Sequence, residues 1–386
     1  MGASSRLGSH DGLRVLIAGG GVAGLEAMIA LRSLAGDRVD VELLAPEPHF
    51  WYRPISVAEP FDASRAYRFE LSALAASPGT SFTLGSLLGV DAQQHKAILG
   101  SGAQIAYDAL VIACGTRSVS TLPRALTFRG PADVEAYRGL LTEVEAGITK
   151  RLVFALPRRS GWPLPLYELA LLTSAHARER ELVGLELTLV TPEESPLAVL
   201  GRAASEAVAT ELEHAGITLH TGCSPVSVEE GQLAVVPAGT FEADRVVALA
   251  RLEGEPLAGV PQDRDGFVTT DRRGRVEELD DVYAIGDITR FPIKQGGIAT
   301  QQADAVAEQI ASRAGADVTP RPQEPVLYAL LLTGGRPLYL KAELATGRGY
   351  RSTVSREPLW WPPAKIAGRY LAPFLATHSL ETAPLD

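Results

Sequence analysis

The chain has 386 residues, of which 46% are hydrophobic and 21% charged, and its formal net charge is −10. This length suits two or three domains with a sizeable core. The acidic balance, with no local run of lysine or arginine, excludes nucleic acid as the expected partner, because neutralising phosphates needs a basic surface.

The two cysteines, Cys114 and Cys223, are too few for a disulfide framework and indicate a reducing compartment. No apolar run reaches the roughly 18 residues that a membrane-spanning helix needs. Residues 1–11 lack an apolar signal core, so we expect them to form a disordered tail. The sequence thus predicts a cytoplasmic protein, with peripheral contact at the inner face of a membrane as an alternative.

The first informative stretch is LRVLIAGGGVAGL, residues 13–25. An apolar strand ends in glycines, and an Ala/Leu-rich helical pattern follows at once. Gly19 allows a tight turn, Gly21 lets the backbone approach a pyrophosphate, and Gly24 lets the helix pack close to the strand. The helix N-terminus would present free N–H groups to the phosphates. This pattern predicts a dinucleotide site.

The next elements are a strand over VDVELL, residues 39–44, and an aromatic and proline-rich loop, residues 48–61. In many such folds the second strand ends in an acidic residue that holds a ribose hydroxyl. The nearest acid here is Glu47, which is either that ligand or an ordinary loop residue. Residues 81–112 alternate like a β-meander, and their last strand runs into Cys114, which we interpret as a buried structural thiol.

A second domain is predicted to begin with the amphipathic helix in residues 131–147, followed by the strand RLVFALP. A pyridine nucleotide needs bare backbone at the turn after such a strand. Arg158, Arg159 and Trp162 stand there among prolines, and proline removes N–H donors. The two arginines either bind an anion, such as an NADP phosphate, or lie in solvent. Glu193 or Glu194 would grip a ribose only if NAD bound.

After Cys223, which we interpret as a second structural thiol, the chain returns near Asp244 and reaches the short strand DVYAIGD, residues 281–287. An amphipathic helix begins at Gly296-Gly297. Its N-terminus and Lys294 would stabilise negative charge on a bound cofactor. Gln295 and Gln301 are candidate supporting groups.

The C-terminal piece ends in an apolar stripe beside Lys365 and Arg369. This stripe either docks at a membrane interface and leads an apolar substrate to the site, or packs against the first domain or a dimer mate. It consists of Trp360, Trp361, Ile366, Tyr370, Leu371, Phe374 and Leu375.

Three motifs in order, the glycine turn, YDALVIACG and DVYAIGD, resemble those of the FAD-dependent pyridine nucleotide-disulfide oxidoreductases. Loop 48–61 and the run PLPLYE, residues 163–168, resemble the sulfide:quinone oxidoreductase and type II NADH dehydrogenase branch. The resemblance implies FAD, with Asp287 hydrogen-bonding the ribityl chain or its phosphate link. The implied FAD-contacting residues are Gly19, Gly21, Val22, Ala23, Gly24, Glu47, Arg53, Ala113, Cys114, Gly115, Gly286, Asp287, Lys294, Gln295 and Gly296.

No cysteine stands beside the flavin in loop 48–61, and this disfavours disulfide chemistry, which requires thiolate attack. The resemblance predicts an α/β fold with two Rossmann-like three-layer domains. The flavin domain would span 12–120 and 244–318, the NAD(P)-like domain 121–243, and a small C-terminal extension 319–386.

The predicted function is electron transfer from NAD(P)H or a sulfide-like donor through FAD to an acceptor such as a quinone, with Lys294 near the reacting flavin. NAD(P)H is disfavoured by the altered turn but remains an alternative. For the oligomeric state, the sequence leaves both a monomer and a homodimer open. A flavin-binding protein with a structural or signalling role and no fast turnover is the competing hypothesis.

Overall fold

Two parallel β-sheets organise the two halves of the chain in the computed structural model, which describes residues 12–343 and 351–379. The predicted tail 1–11 lies outside the described residues. Both sheets have five strands, and in both the central strands are buried on two faces. Strands covered on both faces read as continuous apolar runs, as VLIA and VFA do here.

The first sheet has the strand order β20-β9-β1-β2-β5, with all neighbours parallel. Val15 lies opposite both Val41 and Ala109 in this register. The strands are β1 (Leu13–Ala18), β2 (Val39–Ala45), β5 (Thr80–Leu84), β9 (Ala109–Ile112) and β20 (Val282–Ala284).

Helices α1 (Val22–Ala35) and α6 (Gly296–Arg313) pack together on one face of this sheet. An antiparallel meander of β6 (Leu87–Asp91), β7 (Lys96–Leu99) and β8 (Gln104–Ala106) covers the other face. The predicted meander over 81–112 was therefore too long. Thr80–Leu84 and Ala109–Ile112 join the parallel sheet instead, because their partners are distant strands that local alternation does not reveal.

Smaller elements follow β2 in this half. Strands β3 (His49–Trp51) and β4 (Arg68–Glu70) pair with each other, and a 3₁₀ helix spans Arg53–Phe61 between them. Helix α2 (Leu71–Leu74) leads into β5.

The second sheet has the order β11-β18-β12-β13-β14, with all neighbours parallel. Its last four strands repeat the order β9-β1-β2-β5, whereas its outer strand β11 precedes the others in the chain and β20 follows them. Its strands are β11 (Leu126–Phe128), β12 (Arg151–Ala155), β13 (Glu186–Val190), β14 (Ile217–His220) and β18 (Arg245–Leu249). Helices α3 (Val134–Glu145), α4 (Leu164–Glu179) and α5 (Arg202–His214) contribute to the core on one face. The meander of β15 (Ser224–Glu229), β16 (Gln232–Val236) and β17 (Gly239–Glu242) covers the other.

The chain passes between the halves through β10 (Thr116–Val119) and β19 (Arg251–Gly254), which pair antiparallel. The C-terminal extension adds an antiparallel sheet of β21 (Val326–Leu331), β22 (Leu338–Glu343) and β23 (Arg351–Ser355), and then helix α7 (Leu371–Ser379) against α1. The predicted α/β fold of two Rossmann-like three-layer domains with an extension is confirmed. Within 12–343 and 351–379, no helix combines the length and apolar character required to cross a bilayer.

Candidate functional site

The first turn, Gly19–Gly21, joins β1 to α1 and shows what each glycine is for. Gly19 has φ +137°, and a Cβ there would lie 2.0 Å from the Ala113 carbonyl oxygen. A Cβ on Gly24 would lie 1.8 Å from the Gly19 carbonyl oxygen. A Cβ on Gly21 would meet no atom within 4 Å. Gly19 and Gly24 are therefore required for packing, whereas Gly21 leaves backbone bare toward open space, as a pyrophosphate site needs.

All three flavin motifs end at one edge of the first sheet. Strands β20, β9 and β1 are neighbours and parallel, so their carboxyl ends meet. Ala113 donates its N–H to the Ala18 carbonyl at 2.7 Å, which holds the Ala113–Gly115 segment beside the first turn. Gly286 has φ +74°, and a Cβ there would lie 2.9 Å from the Cβ of Ala23. Ligands of open α/β sheets bind at this kind of edge.

Asp287 and Lys294 form the charged centre of this edge. Burial raises the pKa of Asp287, while the charges of Lys294 and Arg53 pull it back. Burial lowers the pKa of Lys294 to about 8, against the opposing effects of Asp287 and Asp263. The structure thus places two of the sequence-predicted residues, Arg53 and Lys294, within electrostatic reach of a third, Asp287.

The ammonium group of Lys294 is held by the protein on two sides. It donates a hydrogen bond to the Thr289 carbonyl and lies 3.8 Å from the centroid of the Phe267 ring. The stem of Lys294 also touches the second domain, since a Cβ on Gly161 would lie 2.7 Å from its Cγ. Lys294 therefore sits where the two domains meet.

The two glutamines near the start of α6 are used to build the helix. Gln295 is its N-cap: the side-chain oxygen accepts the Ile298 N–H, and Nε2 donates to the Tyr328 carbonyl. Gln301 exchanges hydrogen bonds with the backbone of Val326, at 2.8 and 2.9 Å. Their side chains thus fix the helix against β21. Glu47 lies exposed in the loop after β2, and its predicted role with a ribose stays a prediction.

Both cysteines lie in apolar surroundings, in agreement with their interpretation as structural thiols. Cys114 packs against the core cluster below the first sheet and its Sγ donates to the Ala18 carbonyl at 3.4 Å. Burial raises the pKa of Cys114 to about 12. Cys223 is buried under the second sheet. Since thiolate is the reactive form, the environment of Cys114 does not favour thiol chemistry.

The C-terminal extension lies over the start of α6. A Cβ on Gly296 would lie 2.9 Å from Ile366, and the Ile366 N–H donates to the Tyr52 hydroxyl at 3.0 Å. Trp360 lies edge-on to Tyr328 and Tyr339, at centroid distances of 5.4 and 5.1 Å.

Three of the seven side chains of the predicted apolar stripe, Ile366, Leu371 and Leu375, are buried. Trp360, Tyr370 and Phe374 are half-buried. Trp361, which is 84% exposed, is the stripe's most accessible large side chain.

A buried ion pair joins this extension to the second domain. Lys365 donates to Glu168 on α4, and the same carboxylate oxygen accepts the Leu332 N–H at 2.9 Å. Burial raises the pKa of Glu168 and lowers that of Lys365, and each partner offsets the shift of the other.

The sequence analysis placed Glu168 in the run PLPLYE and Lys365 beside the apolar stripe, but it did not predict that the two residues pair. The available signal was a charged residue inside an apolar run, because such residues are rarely buried without a partner.

The second turn, Pro157–Pro163, stands where the first turn stands in the other sheet. Ser160 is buried, Arg159 adopts φ +63°, and Pro163 caps α4. The Glu193 carboxylate after β13 accepts the Tyr167 hydroxyl at 2.6 Å and the Thr191 hydroxyl at 2.9 Å. Of the two predicted ribose ligands, Glu193 is thus half-buried and engaged by neighbouring hydroxyls, whereas Glu194 is exposed.

These features define a class of protein. The chain has two Rossmann-like domains, a glycine turn with bare backbone and three motifs that converge on one sheet edge. These features are typical of FAD-dependent oxidoreductases. The family model described as pyridine nucleotide-disulphide oxidoreductase matches residues 13–152 and 168–304. The chain belongs to that family. The unmatched segment between the two stretches contains the second turn.

The chain is similar both to ferredoxin reductases and to a sulfide:quinone oxidoreductase. The chain is 30% identical over 349 residues to the benzene 1,2-dioxygenase system ferredoxin–NAD(+) reductase subunit of Pseudomonas putida, covering 81% of this chain and 77% of the relative. Its fold is similar to the sulfide:quinone oxidoreductase of Aquifex aeolicus, with a TM-score of 0.82 at 18% identity, covering 96% and 90% of the two chains. The ferredoxin reductase of the CYP199A2 system from Rhodopseudomonas palustris gives a TM-score of 0.62 at 22% identity, covering 86% and 83%.

Proposed function

We propose that this FAD-dependent oxidoreductase passes electrons to a small apolar acceptor of the quinone class. The observation that carries the proposal is the position of the C-terminal extension. Ile366 and the aromatic group of Trp360, Tyr328 and Tyr339 form an apolar wall at the start of α6, where the flavin's electron-rich edge is expected. A planar apolar acceptor suits such a wall, because aromatic rings stack favourably.

The second turn supports a donor other than a conventionally bound nicotinamide. The turn carries Arg158, Arg159 and Trp162 where bare glycine backbone would be needed, and the Glu193 carboxylate is occupied by Tyr167 and Thr191. A sulfide-like reductant needs no such nucleotide site, so it fits this half of the molecule better.

The chain's own residues prepare the site for the cofactor. FAD, when bound, supplies the two-electron exchange. The first turn and the α1 N-terminus would hold its pyrophosphate, and Asp287 would accept hydrogen bonds from its ribityl region. Lys294 places a positive charge near the start of α6, where that charge and the helix dipole favour an anionic reduced ring.

The test is anaerobic stopped-flow reduction of the FAD-loaded protein with NADH, NADPH and sulfide in parallel, followed by mixing with a short-chain quinone. We expect sulfide to bleach the flavin faster than either nicotinamide, and the quinone to restore its colour. Trp360→Ala should slow reoxidation, while the matched variant of the exposed neighbour, Trp361→Ala, should not. A reduced flavin that the quinone leaves bleached would disprove the acceptor assignment.

The second candidate function is NAD(P)H-linked reduction of a ferredoxin. Its support is the 30% identity to the ferredoxin–NAD(+) reductase subunit, set against only 18% identity to the sulfide:quinone oxidoreductase. The same stopped-flow experiment distinguishes this function from the quinone reductase. Rapid bleaching by NADH, followed by reoxidation with a ferredoxin and not with the quinone, would establish this alternative.

A further inference from the structure

The turn 263–267, between β19 and β20, carries Phe267 at its end, and hydrogen bonds fix its shape. Oδ1 of Asp263 accepts the N–H groups of Asp265 and Phe267, both at 2.9 Å. The Asp263 N–H donates to the Phe267 carbonyl at 2.9 Å, and the Gly266 N–H donates to the Asp263 carbonyl at 3.0 Å. These bonds set the direction in which the Phe267 side chain leaves the backbone.

This turn also packs tightly against the strand that precedes it. A Cβ on Gly254 would lie 1.8 Å from the Gly266 carbonyl oxygen, so the two backbones are in direct contact. Val268, the next residue after the turn, donates its N–H to the Ile288 carbonyl at 2.9 Å. The Phe267 ring thus has a fixed position relative to the DVYAIGD motif.

The ring lies against the ammonium group of Lys294. Nζ is 3.8 Å from the centroid of the Phe267 ring. A cation and a ring face attract each other at separations up to about 6 Å. Nζ also donates one of its three N–H groups to the Thr289 carbonyl. Among residues 12–343 and 351–379 no other acceptor binds Nζ, which leaves N–H donors for a ligand.

Lys294 is a buried cation that is not paired with a carboxylate. Its exposure is 9%, and in the described part of the chain no carboxylate oxygen lies within 4.0 Å of Nζ. Burial lowers the pKa of Lys294 to about 8, and the charges of Asp287 and Asp263 oppose that shift. Buried lysines are rarely left without a partner. The Phe267 ring and the Thr289 carbonyl therefore hold the ammonium group apart from both acids.

We propose that Phe267 is a positioning residue for Lys294. Its ring prevents the ammonium group from turning to Asp287 or Asp263, so that the positive charge stays available to the reduced flavin. A lysine stem is flexible and its head group rotates, so this position needs an external support. The inference rests on the placement of Lys294 near the flavin in the proposed function, and it applies to either electron acceptor.

The test is spectroelectrochemical titration of the FAD-loaded protein at about pH 7, which is below the pKa of about 8 of Lys294. Lys294→Gln removes the charge that favours an anionic reduced ring. It should lower the equilibrium constant for flavin reduction about tenfold, which is about 30 mV for a two-electron couple. Phe267→Leu keeps the charge but removes its support, and it should lower the constant about threefold. Phe267→Tyr, which keeps the ring face, should retain the wild-type potential.

The double variant Lys294→Gln with Phe267→Leu separates the support of the ammonium group from other effects of the ring. Its potential should equal that of Lys294→Gln alone, because the ring then has no charge to hold. Phe241→Leu is the matched control, since Phe241 is also half-buried and packs in the core under the second sheet. It should leave the potential unchanged. Phe267→Met, a second variant without a ring, replaces Phe267→Leu if the latter does not load FAD.

The two possible failures give different results. An unchanged potential in Lys294→Gln would overturn the placement of Lys294 near the flavin, and this inference with it. A lowered potential in Lys294→Gln beside a wild-type potential in Phe267→Leu would overturn the inference alone. An equal effect of Phe267→Leu in the wild-type and Lys294→Gln backgrounds would also overturn it, because the ring would then act independently of the ammonium group.

Discussion

The first and second turns occupy the same place in two sheets that share a four-strand order, β9-β1-β2-β5 and β18-β12-β13-β14, yet their chemistry is opposite. The first turn consists of glycines, two of them pressed against backbone and Gly21 open to a ligand. The second turn presents arginine and tryptophan side chains and proline rings. The comparison teaches that the strand–turn–helix unit does not need its glycines to fold. Pro163 and Pro165 are tolerated because the first N–H groups of a helix have no intrahelical partner.

The helices that follow the two turns share a further feature. Glu26 is the fifth residue of α1, and Glu168 is the fifth residue of α4. Both are buried, and both bind the C-terminal extension. Glu26 accepts the N–H groups of Tyr370 and Leu371 at 2.8 and 2.6 Å, whereas Glu168 binds Lys365. One acid is thus matched by backbone dipoles and the other by a full charge.

The largest effect is expected from replacing one glycine of each kind in the first turn and helix by alanine: Gly24, which packs against backbone, and Gly21, which faces open space. Gly24→Ala places Cβ against the Gly19 carbonyl, so we expect a loss of stability of about 3 kcal/mol or more, or an insoluble protein. Gly21→Ala meets nothing in the protein, so the apoprotein should unfold at an unchanged temperature while FAD affinity falls. Thermal unfolding of the apoprotein and flavin absorbance measure the two effects. Equal unfolding temperatures for both variants would contradict the division of roles.

The ion pair of α4 provides the next prediction. Glu168→Gln leaves Lys365 buried without its counter-charge, which should cost about 3–5 kcal/mol in urea unfolding. The double variant Glu168→Gln with Lys365→Met removes both charges and should recover much of that loss. The control is Glu206→Gln on α5, whose exposed pair with Arg202 should be worth under about 1 kcal/mol. A double variant as unstable as Glu168→Gln would show that the pair is not the cause.

The next prediction concerns Glu26, the corresponding acid of α1, and its neighbour Asp304. This pair of acids should make the stability of the protein depend on pH. Asp304 on α6 neighbours Glu26, and burial and the Glu26 charge raise the pKa of Asp304 to about 8. In the unfolded chain this pKa is about 3.9. Between these values the folded state holds one proton more than the unfolded state, so this contribution to stability falls as the pH rises from about 4 to about 8.

Asp304→Asn should therefore flatten the fall in unfolding temperature between about pH 5 and about pH 8, as measured by calorimetry at constant ionic strength. Glu168→Gln, measured over the same range, shows whether the effect belongs to the α1 side. Parallel curves for the wild type and Asp304→Asn would exclude the assignment.

The smallest effect is expected from the cysteines, one in each domain. Cys114→Ala and Cys223→Ala together should leave the rate of flavin reduction by any donor unchanged, because burial keeps Cys114 as a thiol. Stopped-flow reduction of the double variant measures this. A collapse of the rate would show that sulfur chemistry on these residues takes part in turnover.

Sequence reasoning succeeded where a feature is local. The glycine turn, the strand that precedes it and the fold class follow from spacing and apolar runs within a few residues. Reasoning failed where pairing is distant: Glu168 and Lys365 are 197 residues apart, and Glu26 and Leu371 are 345 apart. The cavity beside the second turn was visible in the sequence only as Arg158 and Arg159, because its other walls come from three separate segments.

The attachment of the C-terminal extension to both domains limits how the molecule can move. Lys365 is fastened to α4 and Leu371 to α1, with only five residues between them. Moving the two domains apart would stretch this short connection and expose the buried ion pair of Glu168 and Lys365 to solvent. The two domains are therefore expected to keep a constant separation at the flavin edge during turnover.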